Sequence, residues 1–217
     1  MIRNSPPDPS VQVKHMAVIR FVSLGKYMVK NKIRKSLLER GLTLSSQSRD
    51  YLNANVHKNI IESLDLSKMK NVLLYFPYKQ EIKINLLQKE LIKHSHNIYM
   101  PKIFPDRKMK FNLLTNEYNL IKNKYGITEV DSEKYLEPHL FDAMFIPFVG
   151  VDINGHRIGY GGGYFDRALS GLIGSNHSKP LIIGLGYDYQ ILSKNLAEPH
   201  DLRYHKVVTE SRILSYN

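Results

Sequence analysis

The chain has 217 residues, 42% hydrophobic and 24% charged, which supplies apolar material for one sizeable core and is ordinary for a globular protein. It contains no cysteine, which excludes disulfides, cysteine-ligated zinc and thiol nucleophiles and fits a reducing compartment. The formal net charge of +11 implies attraction to anions; the basic residues are spread out with no nucleic-acid motif, so a phosphorylated or polycarboxylate ligand is expected rather than nucleic acid.

Residues 1–27 read as a poorly structured extension, because Pro6, Pro7 and Pro9 favour an extended start. Lys14 and Arg20 interrupt the clean apolar stretch that a secretory signal needs. The segment's basic bias is compatible with organelle targeting, and translation from Met28 is the alternative. Residues 28–217 then form a single α/β domain with no internal repeat or linker. Val29, Ile33 and Leu37 recur at helical spacing. Ser45 is suited to cap a second helix that turns Leu52, Val56, Ile60 and Leu64 to one face. Asn71 to Phe76 is an apolar run stopped by Pro77, hence a buried strand. A helix carrying Ile84, Leu87, Leu91 and Ile92 follows, then a strand from Asn97 to Met100 ended by Pro101 and another over Lys110 to Leu114. Residues 115–140 are polar and give no clear pattern. Ala143 to Phe148 is a strand, Tyr164 to Ile173 a helix, and Pro180 to Leu185 and Lys206 to Thr209 are late strands. This alternation predicts an α/β fold, a mainly parallel sheet with helices on both faces and ligands at the carboxyl ends of its strands.

One such end feeds the most informative segment, Gly155-His156-Arg157-Ile158-Gly159-Tyr160-Gly161-Gly162-Gly163-Tyr164-Phe165-Asp166-Arg167. Four glycines in the five positions 159–163 open a helix-like pattern, and backbone amides in such a loop favour phosphate. Arg157 and Asp166 bracket the loop with a cation and a carboxylate, which suits a nucleoside triphosphate and its magnesium ion. The spacing matches neither the common P-loop nor the dinucleotide-binding fingerprint. Lys30 and Arg34 lie four apart on one helical face, which alone reads as an ordinary exposed basic face or as a pair whose repulsion a bound anion would relieve. Glu81 follows the strand that ends at Phe76-Pro77, at the mouth of the sheet.

In this order, with Met100-Pro101-Lys102, Tyr125-Gly126-Ile127-Thr128-Glu129, Pro199-His200-Asp201 and Val207-Val208-Thr209-Glu210, the motifs resemble the 5-formyltetrahydrofolate cyclo-ligase (methenyltetrahydrofolate synthetase) family from Lys30 to about Glu210. The resemblance implies a three-layer α/β/α architecture like that of the sugar-phosphate isomerase and CoA-transferase group. It implies ATP- and Mg²⁺-dependent conversion of 5-formyltetrahydrofolate, polyglutamylated or not, to 5,10-methenyltetrahydrofolate with release of ADP and phosphate. By the same resemblance the ATP-binding residues are Lys30, Arg34, Arg157, Gly159, Tyr160, Gly161, Gly162, Gly163 and Asp201. Glu81, Phe76 and Tyr164 face the folate, Asp166 is the magnesium ligand, and Arg157, Asp166 and Tyr164 carry catalysis. Phe165, where a second tyrosine is usual, and Val130, where a proline is usual, depart from the family pattern. A cytoplasmic monomer with no membrane or nucleic-acid partner is expected. The rival readings are an ATP-independent sugar-phosphate isomerase and a non-catalytic folate- or nucleic-acid-binding protein.

Overall fold

A computed structural model describes residues 9–115, 120–172, 180–198 and 201–216, with side chains from Gly25 onward. Its centre is a seven-stranded sheet. In chain order the strands are β1 (Asn71–Leu73), β2 (Asn97–Ile103), β3 (Met109–Leu113), β4 (Leu120–Lys122), β5 (Thr128–Val130), β6 (Ala143–Pro147), β7 (Gly150–Val151), β8 (Arg157–Ile158), β9 (Leu181–Leu185), β10 (Lys206–Val208) and β11 (Ile213–Ser215). The sheet runs β11-β10-β9-β6-β1-β2-β3, while β4-β5 and β7-β8 form separate hairpins. Every pairing from β10 to β2 is parallel, and only the edge strands β3 and β11 are antiparallel to their neighbours. The mainly parallel α/β sheet is therefore as the alternation implied.

The inner strands are apolar on both faces because both faces are covered. Successive residues alternate between two cores: Val72, Leu74, Ala143 and Phe145 belong to one, Leu73, Met144 and Ile146 to the other. Fully burying a side chain such as Phe145 contributes about 1.5–3 kcal/mol. The helices are α1 (Pro9–Leu42), α2 (Ser46–Ser63), α3 (Asn85–Lys93) and α4 (Tyr164–Ala168). Through Val56, Ile60, Leu87 and Leu91, α2 and α3 cover the first face. The second face carries α4, whose flanking Leu169 is buried, and irregular segments contributing Phe141 and Tyr204. The two helical layers are thus unequal.

Several elements differ from expectation. The structure carries α1 back to Pro9, so residues 9–27 are helical and the boundary expected at residue 28 falls inside a helix. Pro9 takes the first helical position, where its missing N–H has no partner to lose. The inward face of α1 is Lys30, Arg34 and Leu37, whereas Val29 is exposed. Ser45 does cap α2, its hydroxyl accepting from the Ser48 amide at 3.1 Å. Strand β2 continues through Pro101 to Ile103. Pro101 sits opposite Phe111, whose carbonyl turns outward to accept from the Leu136 amide at 3.0 Å, so the ladder asks no N–H of the proline there. Helix α4 stops at Ala168 and gives way to a 3₁₀ turn over Ser170–Leu172; Ile173 lies outside the described residues.

Gly186, just past β9, is a point where packing fixes the strand ends. A Cβ there would stand 2.2 Å from Phe148 Cζ and 2.9 Å from Gln190 Oε1. Both neighbours are buried, and Gln190 Nε2 donates to the Phe148 and Val149 carbonyls at 3.0 and 2.9 Å. Gly186→Ala is expected to cost at least about 2 kcal/mol, read as a lower urea midpoint, through overpacking of a rigid ring. Phe148→Leu in the same chain should recover part of that loss, and a single variant with the wild-type midpoint would contradict the packing argument.

Candidate active site

From β1 the chain passes to β2 on one side and later to β6 on the other, so β1 and β6 flank the point where strand order reverses. In parallel sheets that crevice receives ligands. Past the end of β1 come Phe76 and Glu81; past β6 come the β7-β8 hairpin and the glycine loop. The carboxyl-terminal half of α1 lies against these loops. Arg34 Nε donates to the Gly159 carbonyl at 2.6 Å, Leu37 packs on Gly150, and Gly41 approaches Gln80 and Tyr189.

The hairpin is tied by Asp152, which is fully buried. Its Oδ1 accepts from the Asn154 and His156 amides, both at 2.9 Å, and its Oδ2 accepts from the Leu196 amide at 3.0 Å. This fixes where Arg157 leaves β8. The Arg157 guanidinium lies under the loop, 2.7 Å from where a Cβ on Gly159 would stand, so a side chain there would push the guanidinium aside. It donates to the Pro147 carbonyl at 3.3 Å, meets Asp166 at 3.4 Å and sits 5.2 Å from the Phe165 ring centroid. Phe165, which lacks the usual hydroxyl, thereby offers an aromatic face to the cation. Burial works against the Arg157 charge, and Asp166 with Tyr204 more than offsets it, so the group stays cationic. Its Nε is buried without a hydrogen-bond partner among the described residues.

Asp166 lies in the first turn of α4, also within 3.4 Å of the Leu202 amide. Gly161 and Gly163 adopt φ of +96° and +63°, and Gly163 precedes the first residue of α4. Arg167 reaches back to the Gly162 carbonyl. Lys30 is buried in ion pairs with Glu198 at 3.0 Å and Asp201 at 2.5 Å, so residues from opposite ends of the sequence meet. His200 lies outside the described residues.

On the other wall, Glu81 Oε2 accepts from the Tyr78 amide at 2.8 Å, and the Glu81 amide donates to the Tyr78 carbonyl at 3.1 Å. Burial raises the Glu81 pKa from 4.5 to about 7, against the opposing pull of the Tyr78 N–H and the Arg157 charge. Tyr160 crosses from the glycine loop, its ring edge-on to Tyr78 at 5.3 Å. Phe76 packs against the core beneath α2 and α3. Tyr164 turns to Tyr125 on the β4-β5 hairpin, hydroxyl to hydroxyl at 3.3 Å. Val130 is buried in the core and its carbonyl accepts from Asn112 Nδ2 at 3.1 Å, so the missing proline leaves no gap there.

Sequence reasoning did not single out Glu198 or Tyr204, and it gave no role to Tyr78, Lys79 or Tyr125, which stand within or beside the motifs. Glu198 and Tyr78 carried a local signal, standing three residues before Asp201 and Glu81 respectively.

A family model described as the 5-formyltetrahydrofolate cyclo-ligase family matches residues 26–210. The chain belongs to this family. It is 27% identical over 176 residues to the 5-formyltetrahydrofolate cyclo-ligase of Haemophilus influenzae, covering 79% of this chain and 91% of that protein. The NMR structure of Aquifex aeolicus 5,10-methenyltetrahydrofolate synthetase superimposes with a TM-score of 0.73 at 27% identity, over 86% of this chain and 92% of that one. The structure of a 5,10-methenyltetrahydrofolate synthetase from Mycoplasma pneumoniae does so with 0.68 at 25%, over 84% and 99%. As a cyclo-ligase family member the chain is an enzyme of the ligase class. Among the described residues no helix is long and apolar enough to cross a membrane, and no group of three or more His, Cys, Asp or Glu could hold a metal.

Proposed function

We propose that the protein converts 5-formyltetrahydrofolate to 5,10-methenyltetrahydrofolate with ATP and Mg²⁺. The observation that carries this reading is the meeting, at one strand-order reversal, of the glycine loop over buried Arg157 with a carboxylate, Glu81, across the crevice. The glycine-loop amides and Arg34 cradle the triphosphate, with the Lys30–Asp201 pair beyond them. Glu81 accepts the paired N–H donors of the pterin's aminopyrimidinone edge, a match that a carboxylate makes bidentately. Phe76 and Tyr164 flank that ligand.

In the reaction the formyl oxygen attacks the γ-phosphorus and ADP leaves. N10 then attacks the activated carbon and loses its proton. The C–O bond breaks as phosphate departs, leaving the N5–CH–N10 bridge. The chain needs only to hold the two reactants in line and neutralise charge. Arg157 contributes a fixed cation and an unpaired N–H beneath the phosphates. Among the described residues Asp166 belongs to no group of three or more candidate metal ligands, and a single carboxylate would suit a magnesium ion brought in by the nucleotide, with Asp166 as the residue that would hold it. When bound, that ion neutralises charge on the transferring phosphate. Neither rival reading is favoured by a feature of the site.

Purified protein mixed with 5-formyltetrahydrofolate and Mg²⁺ is expected to develop the methenyl absorbance band only when ATP is added. Product without ATP, or no product from folded protein that binds ATP, would overturn the proposal.

A further inference from the structure

We infer that Tyr160 is a positioning residue that couples the glycine loop to Glu81, so that nucleotide and folate bind cooperatively; the inference rests on the function proposed above. Within residues 159–163 Tyr160 carries the only side chain, the other four being glycine. Its hydroxyl donates to the Tyr78 carbonyl at 3.4 Å. That same carbonyl accepts the Glu81 amide at 3.1 Å, and the Tyr78 amide holds the Glu81 carboxylate at 2.8 Å. The two rings meet at 5.3 Å with an interplanar angle of 68°. The Lys79 ammonium lies over both, 5.0 Å from the Tyr78 centroid and 5.7 Å from that of Tyr160.

The linkage has a reason to respond to ligands. On one side of Tyr160 the Gly159 carbonyl is held by Arg34, and on the other Gly161 sits at φ +96°. A phosphate seated in the loop therefore acts on the tyrosine that lies between the anchored Gly159 carbonyl and the turn at Gly161. Lys79 has a φ of +54°, unfavourable for a residue with a side chain, and the contacts to the two rings help hold it there. Burial and the neighbouring Glu81 charge raise the Tyr160 pKa, so its hydroxyl remains a donor at neutral pH. A shift of the loop thus moves the Tyr78 peptide that orients Glu81. By linkage, whatever the nucleotide does to folate affinity the folate does equally to nucleotide affinity.

The test measures 5-formyltetrahydrofolate affinity with and without a non-hydrolysable ATP analogue plus Mg²⁺, and analogue affinity with and without the folate. In the wild type each ligand should tighten the other by the same factor, about 5 or more. In Tyr160→Phe that factor should fall towards one. A merely structural role would weaken each ligand alone and leave the factor unchanged. The variant loses one hydroxyl from a partly exposed ring, so a wild-type-like thermal midpoint serves as the check on folding. A factor near one in the wild type, or the wild-type factor retained in Tyr160→Phe, overturns the coupling. If the wild type still forms methenyl product in either case, the coupling alone has failed; if it forms none, the proposed function has failed and the coupling with it.

Discussion

Asp166→Asn should fold and still bind nucleotide, yet turn over at least about a hundredfold more slowly with ATP and Mg²⁺. The substitution keeps the shape of the side chain and an oxygen facing the Leu202 amide, now 3.4 Å away. It removes the carboxylate charge that lies 3.4 Å from the buried Arg157 guanidinium. Two roles for the carboxylate make different forecasts. As a counter-ion alone, its loss would lower stability and depress turnover equally at every magnesium concentration. As a metal ligand, its loss would also raise the magnesium concentration required for half-maximal rate. The 3.4 Å separation from Arg157 is long for a charge-assisted bond, and Asp166 retains 20% side-chain exposure, so the carboxylate is free to turn towards a cation. Steady-state rates across a magnesium titration separate the two, and wild-type kinetics in the variant would remove Asp166 from the mechanism.

The strands of the sheet were legible wherever burial on both faces left an unbroken apolar run, as in Ala143 to Pro147 and Leu181 to Leu185. Ser45 was legible because a cap is a local event. The extent of β2 was not, because whether a proline ends a strand depends on where the partner's carbonyl points, and Phe111 belongs to another strand. The inward face of α1 does not follow from apolar spacing for a related reason: Lys30 is buried by Glu198 and Asp201, which lie at the far end of the sequence. Apolar periodicity selects Val29 over Lys30 when that ion pair is unknown.

The site divides along the same line. The glycine loop, Arg157, Asp166 and Glu81 announce their chemistry in composition and order. Their arrangement does not follow from either: spacing suggested that Arg157 reaches phosphate, but it did not suggest that the guanidinium lies buried beneath the loop, bonded to Pro147 and facing Asp166. Tyr164 likewise reads as an aromatic at the end of the glycine loop, but its hydroxyl contact with Tyr125 on the β4-β5 hairpin joins two motifs that lie far apart in sequence.

Glu81→Gln should weaken 5-formyltetrahydrofolate binding by about 10- to 100-fold at pH 8, the loss expected for a charge-assisted hydrogen-bond pair, while largely sparing nucleotide binding. The same variant should be the more stable protein at that pH. The sign follows from the raised pKa. Below pH 4.5 the carboxyl is protonated in both folded and unfolded chains and contributes no difference. Between 4.5 and about 7 the unfolded chain ionises while the folded one holds its proton, so wild-type stability falls as pH rises and then levels off. Glutamine has no charge to desolvate and escapes this fall, an advantage of roughly 2 to 3 kcal/mol at pH 8. Denaturant midpoints of the two proteins should therefore coincide near pH 4 and diverge by pH 8; parallel curves would show that Glu81 is not strained by burial. Binding supplies a third readout. Two N–H donors on the ligand favour the ionised carboxylate, so folate binding near pH 7 should release about half a proton in the wild type and none from this position in the variant. Calorimetry in buffers of different ionisation enthalpy measures that difference, and equal proton release by both proteins would mean that the folate is recognised elsewhere.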